Sequence, residues 1–370
     1  MTRREAMRRL GLAGIGLAAG CGGASEPDST EAPVEPAVVA DGPTSMFPDG
    51  AVVRTILGDV APDALTGGAT LFHEHMSLSI PYWDQLLEGI PNLPRETFLG
   101  SPDEPYFMQD AEVMIAELRA AVDDGVALLV DGGHADMGRD LAFLRTVSEQ
   151  SGMAIVASGG YYTGPFYPPE LESQTDDEIG AALSASAVAE GWGAFGEIGS
   201  SEEITEVERK VFRAVGKAHL ATNLPVFTHT AVGAEAIAQL DIFESLGVSP
   251  DRVVIGHMGG LIDPEAAVHK TIASRGAYVG FDRLGGGPEA DGQKVPMVMA
   301  MLDAGHADRV LLASDFASAG DIQANGGPGY AKTITQFVPM LREAGVDDET
   351  LYTLTVENPL RFLAFVPTTG

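Results

Sequence analysis

The chain has 370 residues, 45% of them hydrophobic, enough for one large domain or two smaller ones. Acidic side chains outnumber basic ones 53 to 22, and the net charge of -31 repels nucleic acid and argues against direct binding to an anionic membrane surface. A heavily solvated acidic surface is a simpler account of that charge than an acidic-partner or calcium-binding role.

Taken in chain order, the first residues read as an address. Thr2-Arg3-Arg4-Glu5-Ala6-Met7-Arg8 resembles a twin-arginine export signal, and the apolar run 10–19 is too short to span a bilayer. Leu17-Ala18-Ala19-Gly20-Cys21 then resembles a bacterial lipoprotein processing site. Cys21 is the only cysteine, so no intramolecular disulfide is available, and its place at the end of the apolar run favours lipidation. Residues 1–21 are therefore expected to be a signal and residues 22–45, rich in Glu, Pro, Ala and Ser, a disordered tether. This predicts an exported protein that meets the membrane only through its lipid anchor.

From residue 46 onward, short apolar runs alternate with amphipathic segments, the pattern of a parallel α/β fold. Strands are predicted at 70–76, 127–133, 154–161, 193–199, 225–230, 253–258, 277–283 and 309–315. Between them, Met114, Leu118, Ala121 and Val122 form an apolar stripe that stops at Gly125, and Thr175…Glu178 and Thr205…Glu208 fit capping boxes. Asp263-Pro264 is expected to open a further helix that Gly276 closes. Eight such units fit a (β/α)8 barrel over 46–370 better than a doubly wound sheet.

In that fold the active site lies at the C-terminal ends of the strands, where the polar residues of this chain fall. His73 and His75 end the first strand, two residues apart and facing one side. Glu197 ends the fourth, His229 the fifth, His257 the sixth and Asp315 the eighth. Charged and imidazole groups at one apolar strand end after another point to binding. Four imidazoles and two carboxylates suffice for two divalent metal ions, with Glu197 at mid-barrel placed to bridge them. Two such ions sharing a water or hydroxide would lower its pKa and align it as a nucleophile, with Asp315 as metal ligand and general base. No Gly-x-Ser-x-Gly, phosphate loop or dinucleotide fingerprint offers a rival chemistry.

His73-Glu74-His75, Phe195-Gly196-Glu197-Ile198-Gly199, Thr228-His229-Thr230, Ile255-Gly256-His257, Gly280-Phe281-Asp282-Arg283 and Ala313-Ser314-Asp315 together resemble the phosphotriesterase family of the amidohydrolase superfamily. The resemblance implies a binuclear centre, with His73, His75 and Asp315 on one metal, His229 and His257 on the other, and a bridge between them. Zinc is the first candidate, with manganese, cobalt or iron as the others. Many members bridge with a carboxylated lysine on strand four. All five lysines here lie at or beyond Lys210, and Glu197 stands in that position, which resembles the glutamate-bridged "phosphotriesterase homology protein" branch. Tyr161-Tyr162, Gly138-Arg139-Asp140 and the segment 325–330 also resemble that branch. Phe316 follows Asp315 where the efficient organophosphate hydrolases of the family carry tryptophan, which points away from strong phosphotriesterase activity.

By the same resemblance, Tyr162 and Arg283 occupy positions that in lactonases of the family lie near the bound ester. Arg283 either holds a substrate carboxylate or phosphate or pairs with Asp282 or a loop acid. His134, ending the second strand, is a candidate substrate contact with a loop hydrogen bond as its alternative. His219, His269 and His306 read as structural or solvated. The long segment 77–110, with Trp83, is expected to cover the pocket and set selectivity. The expected activity is hydrolysis of a small-molecule lactone or carboxylic ester, with promiscuous phosphotriester turnover and a homodimer as the candidate assembly. The rivals are an amide or phosphoester hydrolase with the same centre, and a non-catalytic lipoprotein that captures a ligand in the same pocket.

Overall fold

The computed structural model describes residues 46–88 and 93–368. The signal, Cys21 and tether readings lie outside the described residues. An antiparallel hairpin of β1 (Val53–Thr55) and β2 (Gly58–Val60), absent from the sequence reading, precedes eight parallel strands. These are β3 (Ala69–Glu74), β4 (Val126–Asp131), β5 (Ala154–Gly159), β6 (Ala194–Gly199), β7 (Val226–His229), β8 (Val253–Ile255), β9 (Tyr278–Phe281) and β10 (Val310–Leu312). They pair in sequential order. The first and last strands meet through two backbone hydrogen bonds, Asp315 N–H to His73 O at 3.1 Å and His75 N–H to Phe316 O at 3.0 Å. The seam of the (β/α)8 barrel thus runs through three of the predicted site residues.

Along the strands, alternate residues divide between two layers. Phe72, Val130, Val156, Ala194, Phe227 and Val254 pack in the barrel interior, while Leu71, Leu129, Ile155, Phe195, Val226 and Val253 face the helices. Of the register shifts in the barrel, those between Leu71 and Glu74 on β3 and between Phe195 and Ile198 on β6 bear on the site. Each gives the strand one extra residue against its neighbour, which re-aims the side chains beyond it. His73 follows the inward Phe72 and yet also points into the barrel, and Glu197 is turned inward while Ile198 joins the outer layer.

All eight predicted strands are present, but most end earlier than the sequence suggests. His257, Arg283 and Asp315 have left-handed backbones, with φ of 58°, 60° and 50°, so β8, β9 and β10 stop before the residues that matter chemically. The two capping boxes at Thr175 and Thr205 are formed in full. In the helix Ala111–Asp123, Met114, Leu118 and Ala121 are buried as expected, whereas Val122 is 40% exposed because it lies beside the stripe. The helix predicted from Asp263-Pro264 begins only at Ala267. Asp263 instead accepts the Glu265 and Ala267 N–H groups in the preceding turn, and Ala266 enters the helix with a φ of 51°.

Candidate active site

The six predicted metal ligands converge. Donor atoms of His73, His75, Glu197 and Asp315 lie within 4.8 Å of one another, as do those of Glu197, His229 and His257. Glu197 belongs to both groups, and its Oε2 also lies 3.4 Å from His73 Nε2. Its Oε1 is 3.3 Å from His75 Nε2, while Oε2 is 2.8 Å from His229 Nδ1 and 3.3 Å from His257 Nε2. Asp315 Oδ1 lies 3.2 Å from His75 Nε2 and 3.6 Å from His73 Nε2. His73 is fully buried, and its Nε2 has no hydrogen-bond partner although it faces two carboxylates. A buried imidazole nitrogen left open beside carboxylate oxygens is the donor arrangement of a divalent-metal site, so the residues fit one.

The outward nitrogens are tied down by a residue that the sequence reading did not place in the site. Asp282, wholly buried at the end of β9, lies 3.0 Å from His73 Nδ1 and 2.9 Å from His257 Nδ1, and its Oδ2 accepts the His257 N–H at 3.0 Å. Carboxylate partners of this kind fix the tautomer and ring direction of metal-binding histidines. The available signal was an aspartate at the end of an apolar strand, obscured by the apparent pairing with its neighbour Arg283. Glu74 was also missed. It is fully buried and holds the backbone on both sides of Asp315.

The electrostatics follow from this crowding. Burial opposes charge on every group, but opposite charges outweigh it for most. Glu197 stays well below the usual carboxylate range because His73 and His229 offset its burial, and Asp315 does so through His73, His257, His75 and Arg283. His75 is raised to about 9 by Asp315 and Glu197 against its burial. His229 is the exception, pushed down to about 4 by burial and the neighbouring His257. A bound cation would add its own charge and favour neutral imidazoles throughout.

Arg283 donates from Nε to Asp315 Oδ2 at 3.0 Å and lines the cavity above the ligands. Its partner is therefore Asp315, not Asp282. Tyr162 also lines this cavity, with its ring edge-on to His229 at 4.8 Å. His134 is not among the lining residues. Its Nδ1 pairs with Asp136 at 3.0 Å, and Asp136 in turn accepts the Tyr162 N–H at 2.9 Å, so the loop hydrogen bond of the alternative reading is present. His219 and His269 sit buried on helices with their rings bonded to backbone carbonyls, as structural histidines do.

Residues 51–363 match the model of the phosphotriesterase family. The chain belongs to that family. The phosphotriesterase homology protein of Escherichia coli is 31% identical over 305 residues, covering 80% of this chain and 97% of its own. Its crystal structure, with phosphate in the active site, superimposes with a TM-score of 0.71 at 28% identity over 80% of this chain and 99% of its own. A resiniferatoxin-binding protein from Rhodobacter sphaeroides gives 0.72 at 28% identity, over 85% and 95% of the two chains. The human N-acetyltaurine hydrolase is 25% identical over 344 residues, covering 85% of this chain and 98% of its own. The protein is an enzyme, a phosphotriesterase-family hydrolase with a His/Asp/Glu cluster able to hold metal.

Proposed function

We propose that the protein is a binuclear metal-dependent hydrolase that opens a lactone or cleaves a related carboxylic ester. The observation that carries the binuclear reading is the reach of the Glu197 carboxylate into both groups, Oε1 toward His75 and Oε2 toward His73, His229 and His257. His73, His75 and Asp315 would hold one ion, His229 and His257 the other, and Glu197 both. Ions bound there, zinc first among the candidates, would supply an acidified water and polarise a scissile carbonyl.

The chain's own groups do the rest. Asp315 reaches into the ligand cluster, its Oδ1 3.2 Å from His75 Nε2, so it stands where the proton of the attacking water can be accepted. Arg283 fixes one Asp315 oxygen and keeps both terminal nitrogens without hydrogen-bond partners among the described residues, available to a substrate oxygen. Tyr162 confines the substrate against His229. Asp282 keeps His73 and His257 from turning.

An amide substrate is the second reading, favoured by the N-acetyltaurine hydrolase likeness across 98% of that human chain. One experiment tests both. Metal per chain is measured by elemental analysis of protein purified without chelator, alongside hydrolysis of matched lactones, esters and N-acyl amides. Two metals with lactone or ester turnover is the expected result, amide turnover alone would replace the substrate class, and fewer than one metal in folded protein would overturn the centre. We also propose export and lipidation through Cys21, supported by the N-terminal sequence. Fatty-acid labelling lost in Cys21→Ser would agree with it, and labelling retained would refute it.

A further inference from the structure

Arg283 lines the cavity above the ligand cluster, but two charged residues that do not line it hold the Arg283 backbone. The Lys294 ammonium, on the first residue of the helix Lys294–Asp303, donates to the Arg283 carbonyl and pairs with Asp291 Oδ1 at 3.0 Å. Asp291 Oδ2 in turn accepts the Gly285 N–H at 2.9 Å. Between these attachments the Leu284 N–H donates to Ala313 O at 3.2 Å, just past the end of β10. Two consecutive peptide groups, 283–284 and 284–285, are thus fastened by three hydrogen bonds.

The conformation so held is an unfavourable one. Arg283 has a φ of 60° and Gly285 one of 82°, and a Cβ added at Gly285 would lie 2.5 Å from Lys332 Cγ and 2.8 Å from the Lys332 carbonyl carbon. A left-handed arginine persists only where its surroundings over-determine it. The pair that holds it is not an obvious source of stability either. Asp291 is wholly buried and Lys294 is 8% exposed, and the desolvation of two buried charges cancels most of their attraction. Its contribution lies instead in the backbone that it fixes.

Resting on the proposed role of Arg283 toward a substrate oxygen, we infer that Lys294 and Asp291 are positioning residues for that arginine. They set the direction in which Arg283 leaves the backbone, so that Nε stays on Asp315 Oδ2 at 3.0 Å while the guanidinium lines the cavity. Both act through Arg283. An arginine fixed before the substrate arrives loses less conformational freedom on binding it.

Inorganic phosphate is the probe, an oxyanion that a guanidinium binds well. Its affinity is measured by calorimetry for the wild-type chain, Arg283→Met, Lys294→Met and the double variant Arg283→Met/Lys294→Met, purified without chelator, matched in metal content and melted to check the fold. Arg283→Met is expected to weaken phosphate binding about tenfold, Lys294→Met about threefold or more, and the double variant no further than Arg283→Met alone. A pair that only stabilised the fold would lower the melting point in both backgrounds and leave phosphate affinity as it was. Wild-type affinity in Lys294→Met or in Arg283→Met, or losses that multiply in the double variant, would overturn the inference. Should the lone buried carboxylate of Lys294→Met prevent folding, Asp291→Asn/Lys294→Met leaves no charge unpaired and enters the same cycle in its place. The two proposals fail separately. Turnover of a lactone, ester or amide together with losses that multiply keeps the hydrolytic reading and sinks the positioning pair, while the expected cycle without any turnover does the reverse.

Discussion

Glu74 accepts two hydrogen bonds from Ser314, from its N–H at 2.8 Å and its hydroxyl at 2.5 Å, and a third from the Phe316 N–H at 2.8 Å. The residue between His73 and His75 thereby grips the backbone on either side of Asp315, whose φ of 50° an L residue seldom adopts unaided. Glu74→Gln replaces one accepting oxygen with an amide that faces a donor. It is expected to cost about 1–3 kcal/mol of stability and to lower turnover by displacing Asp315. Thermal melting and metal titration of the variant check this, and unchanged values in both would mean that the barrel seam alone holds Asp315.

Asp282→Asn tests the support of the histidines. An asparagine keeps the shape but loses the charge shared by His73 Nδ1 and His257 Nδ1. Metal affinity is expected to fall about 10- to 100-fold with the fold intact. Competition against a chromophoric chelator measures it, and wild-type affinity would assign the orientation of the rings to packing instead.

The barrel and the six residues that converge at its mouth were legible because each rests on a local pattern, an apolar run with a polar residue at its end. What escaped were non-local facts. Asp282 and Glu74 matter through partners on other strands, at Asp282 to His73 and Glu74 to Ser314, which no spacing within one segment shows. The inward turn of Glu197 depends on a bulge against β7, and simple alternation from the outward Phe195 would have turned Glu197 outward as well. The early strand ends follow from left-handed backbones at His257, Arg283 and Asp315, residue types that give no glycine-like warning.

Val232, in the loop after β7, has a φ of 56° and is 53% exposed. A β-branched residue is poorly suited to that conformation, and its exposure leaves little packing to lose. Val232→Asn is expected to stabilise the protein by about 1 kcal/mol, because asparagine tolerates the left-handed region. Calorimetry reads this as a rise of roughly 2 °C in Tm; a fall would show that what packing the valine has outweighs the strain.

His219 supplies a pH test remote from the ligand cluster. Its ring is buried on the helix Glu206–Thr222 and donates from Nδ1 to Leu224 O at 2.7 Å, and burial, helped by Arg252, lowers its pKa below the ordinary 6.5. The unfolded chain therefore binds the proton more readily than the folded one. The contribution of His219 to stability is present above pH 6.5 and is lost as the pH falls through the folded-state value. His219→Gln should flatten the acid-side decline in urea midpoint below pH 6.5, at a fixed cost above it. An identical decline in the variant would move the acid sensitivity elsewhere.

Glu197 carries the most decisive substitutions. Glu197→Ala removes the carboxylate that belongs to both ligand groups, and leaves His73, His75, His229 and His257 crowded around a void. On the proposed binuclear reading both metals would depend on it, so the variant is expected to lose most bound metal and nearly all activity, a drop in kcat of at least about a hundredfold. Elemental analysis that finds two metals in Glu197→Ala would refute the bridging role. Glu197→Lys is sharper. A lysine at this position can be carboxylated by bicarbonate to restore an oxygen bridge, so metal content and turnover should rise with added bicarbonate in Glu197→Lys and stay flat in Glu197→Ala. A lysine variant that remains empty at high bicarbonate would show that the β6 bulge presents the shorter glutamate alone at the bridging distance.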